Sequence, residues 1–182
     1  MGAMDADRAL SGQVAPKEKL PKSTSVRMLP YDERNYLLLV LERSHEVILS
    51  GGKSFIKPCG WSLPGGRLKR RADGRPRETH DHAIERELKQ EASYEAGIKK
   101  VIAKIEDKER NHDIIIFEGR DLRPCRITQE EPDIIDVGWF NPRSIFGSAE
   151  NPLSVKLRSE KLGESFPVYR RHVNWIQGIF KK

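Results

Sequence analysis

Glu87 and Glu91 stand four residues apart in the stretch RELKQEASYEAG, Arg86 to Gly97, with Gln90 beside them. On a helix that spacing stacks both carboxylates on one face and sets the Gln90 amide on its flank. Two carboxylates one turn apart form a platform for a divalent cation. They are equally a piece of solvated helix, where a like-charge pair costs only about 0.2–0.5 kcal/mol. The pair alone does not separate the two. Upstream, WSLPGG ends in a glycine turn, and RLKRRADGRPR follows with six basic residues and one acid in eleven positions. Its planar Arg forks suit phosphate oxygens, and its charge equally suits a flexible, solvated insertion.

A helix has to hold the carboxylate pair, and the local sequence supplies one. Thr79 or Asp81 can cap a helix running to about Ser93, with a buried stripe of Ile84, Leu88 and Ala92. Glu87 and Glu91 then lie about 100° or less from that stripe, at the edge of the core. SVRML and NYLLLVLE read as strands joined by the turn-like PYDER, and the second is continuously apolar, as a buried strand is. RSHEVILSGGKSFIKPCG reads as a hairpin or long loop, and KKVIAKIED, DIIIFEGRDL and DIIDVGWF as further strands. FPVYRRHVNWIQGIF is an amphipathic helix whose face carries Val168, His172, Val173, Ile176 and Ile179. Trp61 and Tyr94 read as core residues. Strands on both sides of a helix, with a helix closing the sequence, predict a mixed α/β layered domain over residues 25–182. Residues 1–24, without hydrophobic period, read as a flexible tail.

A chain of 182 residues can bury a core without disulfides or structural metal. Its 33 Lys and Arg against 27 Asp and Glu leave a net charge of +6, a modest bias toward polyanionic partners. Cys59 and Cys125 belong to no metal-ligand spacing, so reduced, part-buried thiols are expected. His80 and His82 cannot share a helical face, and His45, His112 and His172 stand isolated, so none is assigned to a metal. No apolar run reaches the roughly 18 residues of a membrane span and no secretory leader is evident, which predicts a cytoplasmic protein without a membrane partner.

Taken together, residues 61–97 resemble the Nudix box: Gly, five residues, Glu, seven residues, Arg-Glu, an aliphatic residue, any residue, Glu-Glu, any residue, Gly and an aliphatic residue. Glu78 precedes Arg86 at the family interval, Arg86-Glu87-Leu88 match directly, and Glu91 falls on the second Glu of the pair. WSLPGG is similar to the strand and turn that lead into the box, and DVGWF to a late strand of many members. Three positions depart from it. Gly66 and Glu78 are separated by eleven residues, six more than the family has; Gln90 replaces the first Glu; Ser93 stands at the usual Gly.

The resemblance implies a Nudix-type α/β/α sandwich with a mixed sheet. It also implies an Mg²⁺- or Mn²⁺-dependent pyrophosphohydrolase that cleaves the diphosphate linkage of a nucleoside diphosphate derivative. Glu87 and Glu91, with the Gln90 amide oxygen and a backbone carbonyl of Gly65 or Gly66, would hold the metal. Gln90, being neutral, would hold it less tightly than Glu. Arg86, expected to point away from Glu87, would pair with Glu78 and steady the loop. The general base would come from QEEPD, among Glu130, Glu131 and Asp133, with Glu131 the first choice. Arg67, Arg70, Arg71 and Arg75 would bind substrate phosphates. The alternative reading is a weakly active or inactive module that binds nucleotide or RNA through the same basic loop.

Overall fold

The structure, a computed structural model, describes residues 22–48, 52, 54–108, 111–126, 131–146 and 155–180. Ten strands and three helices lie within them: β1 (Ser23–Pro30), β2 (Leu37–Glu42), β3 (His45–Ile48), β4 (Ser54–Lys57), β5 (Gly60–Ser62), α1 (His80–Ala92), β6 (Tyr94–Asp107), β7 (His112–Pro124), β8 (Ile134–Phe140), α2 (Pro142–Phe146), β9 (Lys156–Arg158), β10 (Ser165–Pro167) and α3 (Arg170–Phe180). β1 begins two residues upstream of the domain start expected at 25, and residues 1–21 of the expected tail lie outside the described residues.

Two three-stranded sheets carry the fold. In one, β7 sits centrally, parallel to β1 and antiparallel to β6; in the other, β2 sits between β5 and β8, antiparallel to both. The strands are thus mixed in direction, as expected. β1 and β2, consecutive along the chain, belong to different sheets, and an isolated bridge joins Tyr31, just after β1, to Leu37 of β2. Of the hairpin or long loop expected for residues 43–60, β3 and β4 form the hairpin, paired antiparallel.

Alternation along β2 divides the interior. Leu37, Leu39 and Leu41 face a core shared with Trp61, Ile116, Val173 and Ile176, under α3. Leu38 and Val40 face a second core with Val26, Met28, Phe117, Ile84 and Leu88, under α1. Helices therefore cover both faces, the layered arrangement predicted. Trp61 is fully buried and its indole N–H donates to Leu157 O at 3.0 Å, so it belongs to the core; Tyr94 is half-buried, edge-on to Trp139. Both cysteines are free and half-buried.

Two elements differ from expectation at their starts. β6 reaches back to Tyr94, directly after α1, because Ala96 packs into the α1 core while the rest of the strand pairs with β7. α3 starts at Arg170, not at Phe166, since Pro167 disfavours helical geometry at the residue before it and Ser165–Pro167 instead pair with β9. The short α2 and β9 carried too little periodicity to be recognised in the sequence.

Candidate active site

β5 delivers Leu63, Pro64, Gly65 and Gly66 into a turn squeezed between β1 and α1. β1 grips it through Val26 N–H to Gly66 O and Met28 N–H to Pro64 O, both at 2.9 Å. Gly65 has φ +140°, and a Cβ there would overlap the Val26 carbonyl; a Cβ at Gly66 would overlap the Glu87 carboxylate. Gly65 therefore requires glycine, for backbone freedom and close approach, while the missing side chain at Gly66 leaves room for the Glu87 carboxylate. The Gly65 N–H donates to Glu91 Oε2 at 2.6 Å, so the turn touches both predicted carboxylates.

Thr79 caps α1, its hydroxyl accepting from His82 N–H at 3.2 Å. Ser93 closes it at φ 62°, ψ 34°, the left-handed conformation for which the family uses Gly, and its N–H caps Leu88 O and Lys89 O. Between the caps, Ile84, Leu88 and Ala92 are buried as predicted, and Glu87 is buried beside them at 8% exposure.

Arg86 grips Glu78 with two bonds, Nε to Oε2 at 3.0 Å and Nη2 to Oε1 at 2.8 Å. It does not point away from Glu87, as the sequence suggested. Its side chain is long enough to fold back along the helix, and Nη1 donates to Glu87 Oε1 at 2.7 Å and to Gln90 Oε1 at 3.1 Å. Glu78 also accepts from Lys69 N–H at 2.7 Å, which ties the basic loop to the helix. The bidentate pair holds Glu78 below the usual carboxylate range and raises Arg86.

The carboxylates facing the turn behave in the opposite sense. Burial pushes Glu87 up against the pull of Arg86 and Arg27, and the charge of Glu131 adds to the rise. Burial pushes Glu91 up to about 8; Arg27 and the Gly65 N–H oppose it, while Glu87 and Glu42 reinforce it. Glu42, 8% exposed at the end of β2, ends below its ordinary value because Lys57 and Arg27 outweigh its burial. Two adjacent carboxylates that both resist ionisation suit a divalent cation, which would favour their charged forms. Among the described residues no three acidic, thiol or imidazole groups close into a ligand set by themselves.

The other predicted residues are placed as follows. Glu131 is half-buried and within electrostatic reach of Glu87, whereas Glu130 lies outside the described residues. Asp133 is exposed, and its carbonyl accepts from Arg43 N–H. The basic loop folds as a compact hairpin, with Arg77 N–H to Lys69 O and Arg71 N–H to Arg75 O at 2.8 Å and Gly74 at φ 78°. The guanidinium of Arg70 is held by the carbonyls of Gly74 and Lys22. Arg67, Arg71 and Arg75 are exposed, and Arg67 meets the site through its carbonyl, 3.4 Å from Arg86 Nη2.

Three residues that spacing did not single out complete the site. Arg27 Nη1 donates to Leu63 O at 3.1 Å and to Gly65 O. Lys57 pairs with Glu42 and lies 4.2 Å from the centre of the Tyr169 ring. His172 is buried in α3, and its Nδ1 accepts from Leu63 N–H at 2.8 Å. The available signal for Arg27 was a lone Arg inside SVRML, and for Lys57 only its partner, the Glu42 that closes NYLLLVLE, both charged residues in otherwise apolar strands.

A family model described as NUDIX domain matches residues 21–161. Among solved structures, an ADP compounds hydrolase is 17% identical, with 88% of this chain and 73% of that chain covered at a TM-score of 0.58. The NUDIX domain of Shewanella oneidensis NrtR, solved with ADP ribose, is 13% identical over 93% of each chain at 0.58. A MutT protein from Methanosarcina mazei Go1 is 20% identical over 89% of this chain and 97% of that one at 0.52. Against the curated proteins the sequence finds no match.

Proposed function

The chain belongs to the NUDIX domain family, whose reaction is hydrolysis of a phosphoric anhydride bond, and from that premise we propose that it cleaves the diphosphate linkage of a nucleoside diphosphate derivative with the aid of Mg²⁺ or Mn²⁺. The observation that carries this reading is the contact of Glu87 and Glu91, one turn apart on α1, with the Gly65-Gly66 turn. Glu87 and Glu91 would hold the cation, with the Gln90 amide oxygen and a turn carbonyl as neutral ligands. Once bound, the cation neutralises phosphoryl oxygens and makes a water more acidic.

The chain's own groups account for the rest. Arg86, clamped by Glu78, keeps Glu87 in place against the turn. Glu131, on the loop before β8, accepts the proton of the attacking water. The exposed forks of Arg67, Arg71 and Arg75 hold outlying phosphate, while Arg70 braces the hairpin that presents them. The same reading places the protein in the cytoplasm. Among the described residues no helix is long and apolar enough to cross a membrane.

The test is hydrolysis of a panel that begins with ADP-ribose, the compound named for one of the similar folds, and extends to other nucleoside diphosphate compounds and 5′-triphosphate RNA. Turnover is expected only with Mg²⁺ or Mn²⁺, and Glu91→Gln is expected to reduce it at least about 100-fold. Turnover that survives chelation, or that Glu91→Gln leaves intact, refutes the assignment.

A further inference from the structure

Three cations border the carboxylate cluster, and two of them are committed to it. Arg86 spends its donors on Glu78, Glu87 and Gln90. Lys57 is paired with Glu42. Arg27 differs. Among the described residues no carboxylate bonds it, and its contacts are the backbone carbonyls of Leu63 and Gly65, both made through Nη1. It grips the carbonyl of Gly65, the residue whose N–H donates to Glu91, and its charge pulls Glu42, Glu87 and Glu91 alike downward.

A half-buried guanidinium held by neutral oxygens, with no bonded counterion among the described residues, is an arrangement that favours an incoming anion. Arg has five N–H donors in a rigid fork that matches phosphate, and here the carbonyls fix one nitrogen while Nε and Nη2 make no bond among the described residues. The turn that Arg27 braces is also the turn that Glu87 and Glu91 touch. An anion on Arg27 therefore sits beside the two carboxylates assigned to the cation.

We propose that Arg27 is a substrate-binding residue: its Nε and Nη2 edge receives a phosphoryl group of the diphosphate, while Nη1 keeps the glycine turn in place. This rests on the pyrophosphohydrolase reading for the identity of the ligand. The chemistry required of that ligand is only a tetrahedral phosphoryl or phosphonyl dianion next to a divalent cation.

Methylenediphosphonate, which cannot be hydrolysed at its bridging carbon, is the probe. Its affinity in the presence of Mg²⁺ is measured by calorimetry for the full chain and for Arg27→Met and Arg27→Lys. Mn²⁺ binding without the probe is measured in parallel by electron paramagnetic resonance. Arg27→Met is expected to weaken the probe at least tenfold while Mn²⁺ affinity stays within about threefold. Arg27→Lys, which keeps the charge but not the fork, is expected to recover only part of the loss.

Wild-type affinity for the probe in Arg27→Met, with a lowered melting temperature or weakened Mn²⁺ binding, would make Arg27 a brace of the turn and nothing more. Should Arg27→Met fail to fold, Arg27→Lys decides, and undiminished probe affinity in it overturns the proposal. Absence of probe binding to the parent protein overturns it as well. Probe binding that depends on Arg27, in a protein that hydrolyses no diphosphate, would uphold this site and refute the hydrolase reading alone.

Discussion

Glu91 bears a large electrostatic penalty. It is pushed up to about 8 because burial and two neighbouring acids outweigh Arg27 and the Gly65 N–H. In the folded, metal-free protein it keeps a proton between about pH 4.5 and 8 that the unfolded chain has already released, so its contribution to stability falls as pH rises through that window. Chelated protein is therefore expected to lose more stability between pH 6 and 8.5 than Glu91→Gln does, by about 1–3 kcal/mol, as read from urea midpoints. Mg²⁺ should restore the parent and leave the variant unmoved. Equal pH slopes for the two proteins would show that Glu91 ionises freely. At this scale the sequence was informative where chemistry recurs at fixed intervals: Glu78, Arg86, Glu87 and Glu91 were found through their spacing. Arg27 and His172 have no such interval. Their partners, Leu63 and Gly65, are 36 to 109 positions away, and only the folded chain brings them together.

The glycine turn shows what the elements add to the residues. Gly65 and Gly66 are adjacent, but one faces β1 and the other α1, so the same substitution should fail in two different ways. At Gly65 a Cβ meets the immovable Val26 carbonyl at φ +140°, and Gly65→Ala is expected to cost about 2–4 kcal/mol in global stability. At Gly66 the obstacle is the movable end of a side chain, the Glu87 carboxylate. Gly66→Ala is expected to melt close to the parent while losing at least about tenfold in metal-dependent turnover, because Glu87 must swing away. Thermal melts and kcat for the two variants separate these outcomes; equal destabilisation would mean that the turn responds as one unit. α1 was legible because its cap, stripe and carboxylates are all local, and the left-handed Ser93 confirms that Ser stands in for Gly at its end. The basic loop was less so. Its Asp73-Gly74 pair is a turn signal, but the tie from Lys69 N–H to Glu78 that makes it a hairpin docked on α1 is tertiary.

Across the whole molecule, the layers were readable and the pairing was not. Apolar runs and helical stripes show that sheets are covered on both faces, yet nothing local to SVRML says that it lies parallel to a strand 89 positions later, Ser23 beside His112. The same long-range assembly seats α3 behind the glycine turn, and its consequence is carried by His172. That imidazole is buried against Trp175, accepts from Leu63 N–H, and is held well below its ordinary value by burial and by Arg27, Lys57 and Arg171. It stays neutral when folded, whereas the unfolded chain takes up a proton below about pH 6.5, so stability falls with falling pH at up to about 1.4 kcal/mol per unit. His172→Asn keeps a carbonyl oxygen for the Leu63 N–H and removes the titration. It is expected to be less stable than the parent at pH 8, from lost packing, by about 1–3 kcal/mol, and to close part of that gap by pH 5. Chemical denaturation of both proteins from pH 5 to 8 reads the difference directly, and a constant gap would mean that His172 accepts its proton within the fold. Because His172 weakens the fold below about pH 6.5 and Glu91 weakens it above about pH 4.5, the two slopes cancel between those values, so the metal-free protein should be most stable on a plateau centred near about pH 5.5 as far as these two groups decide, and a divalent cation at Glu87 and Glu91 should move that optimum upward.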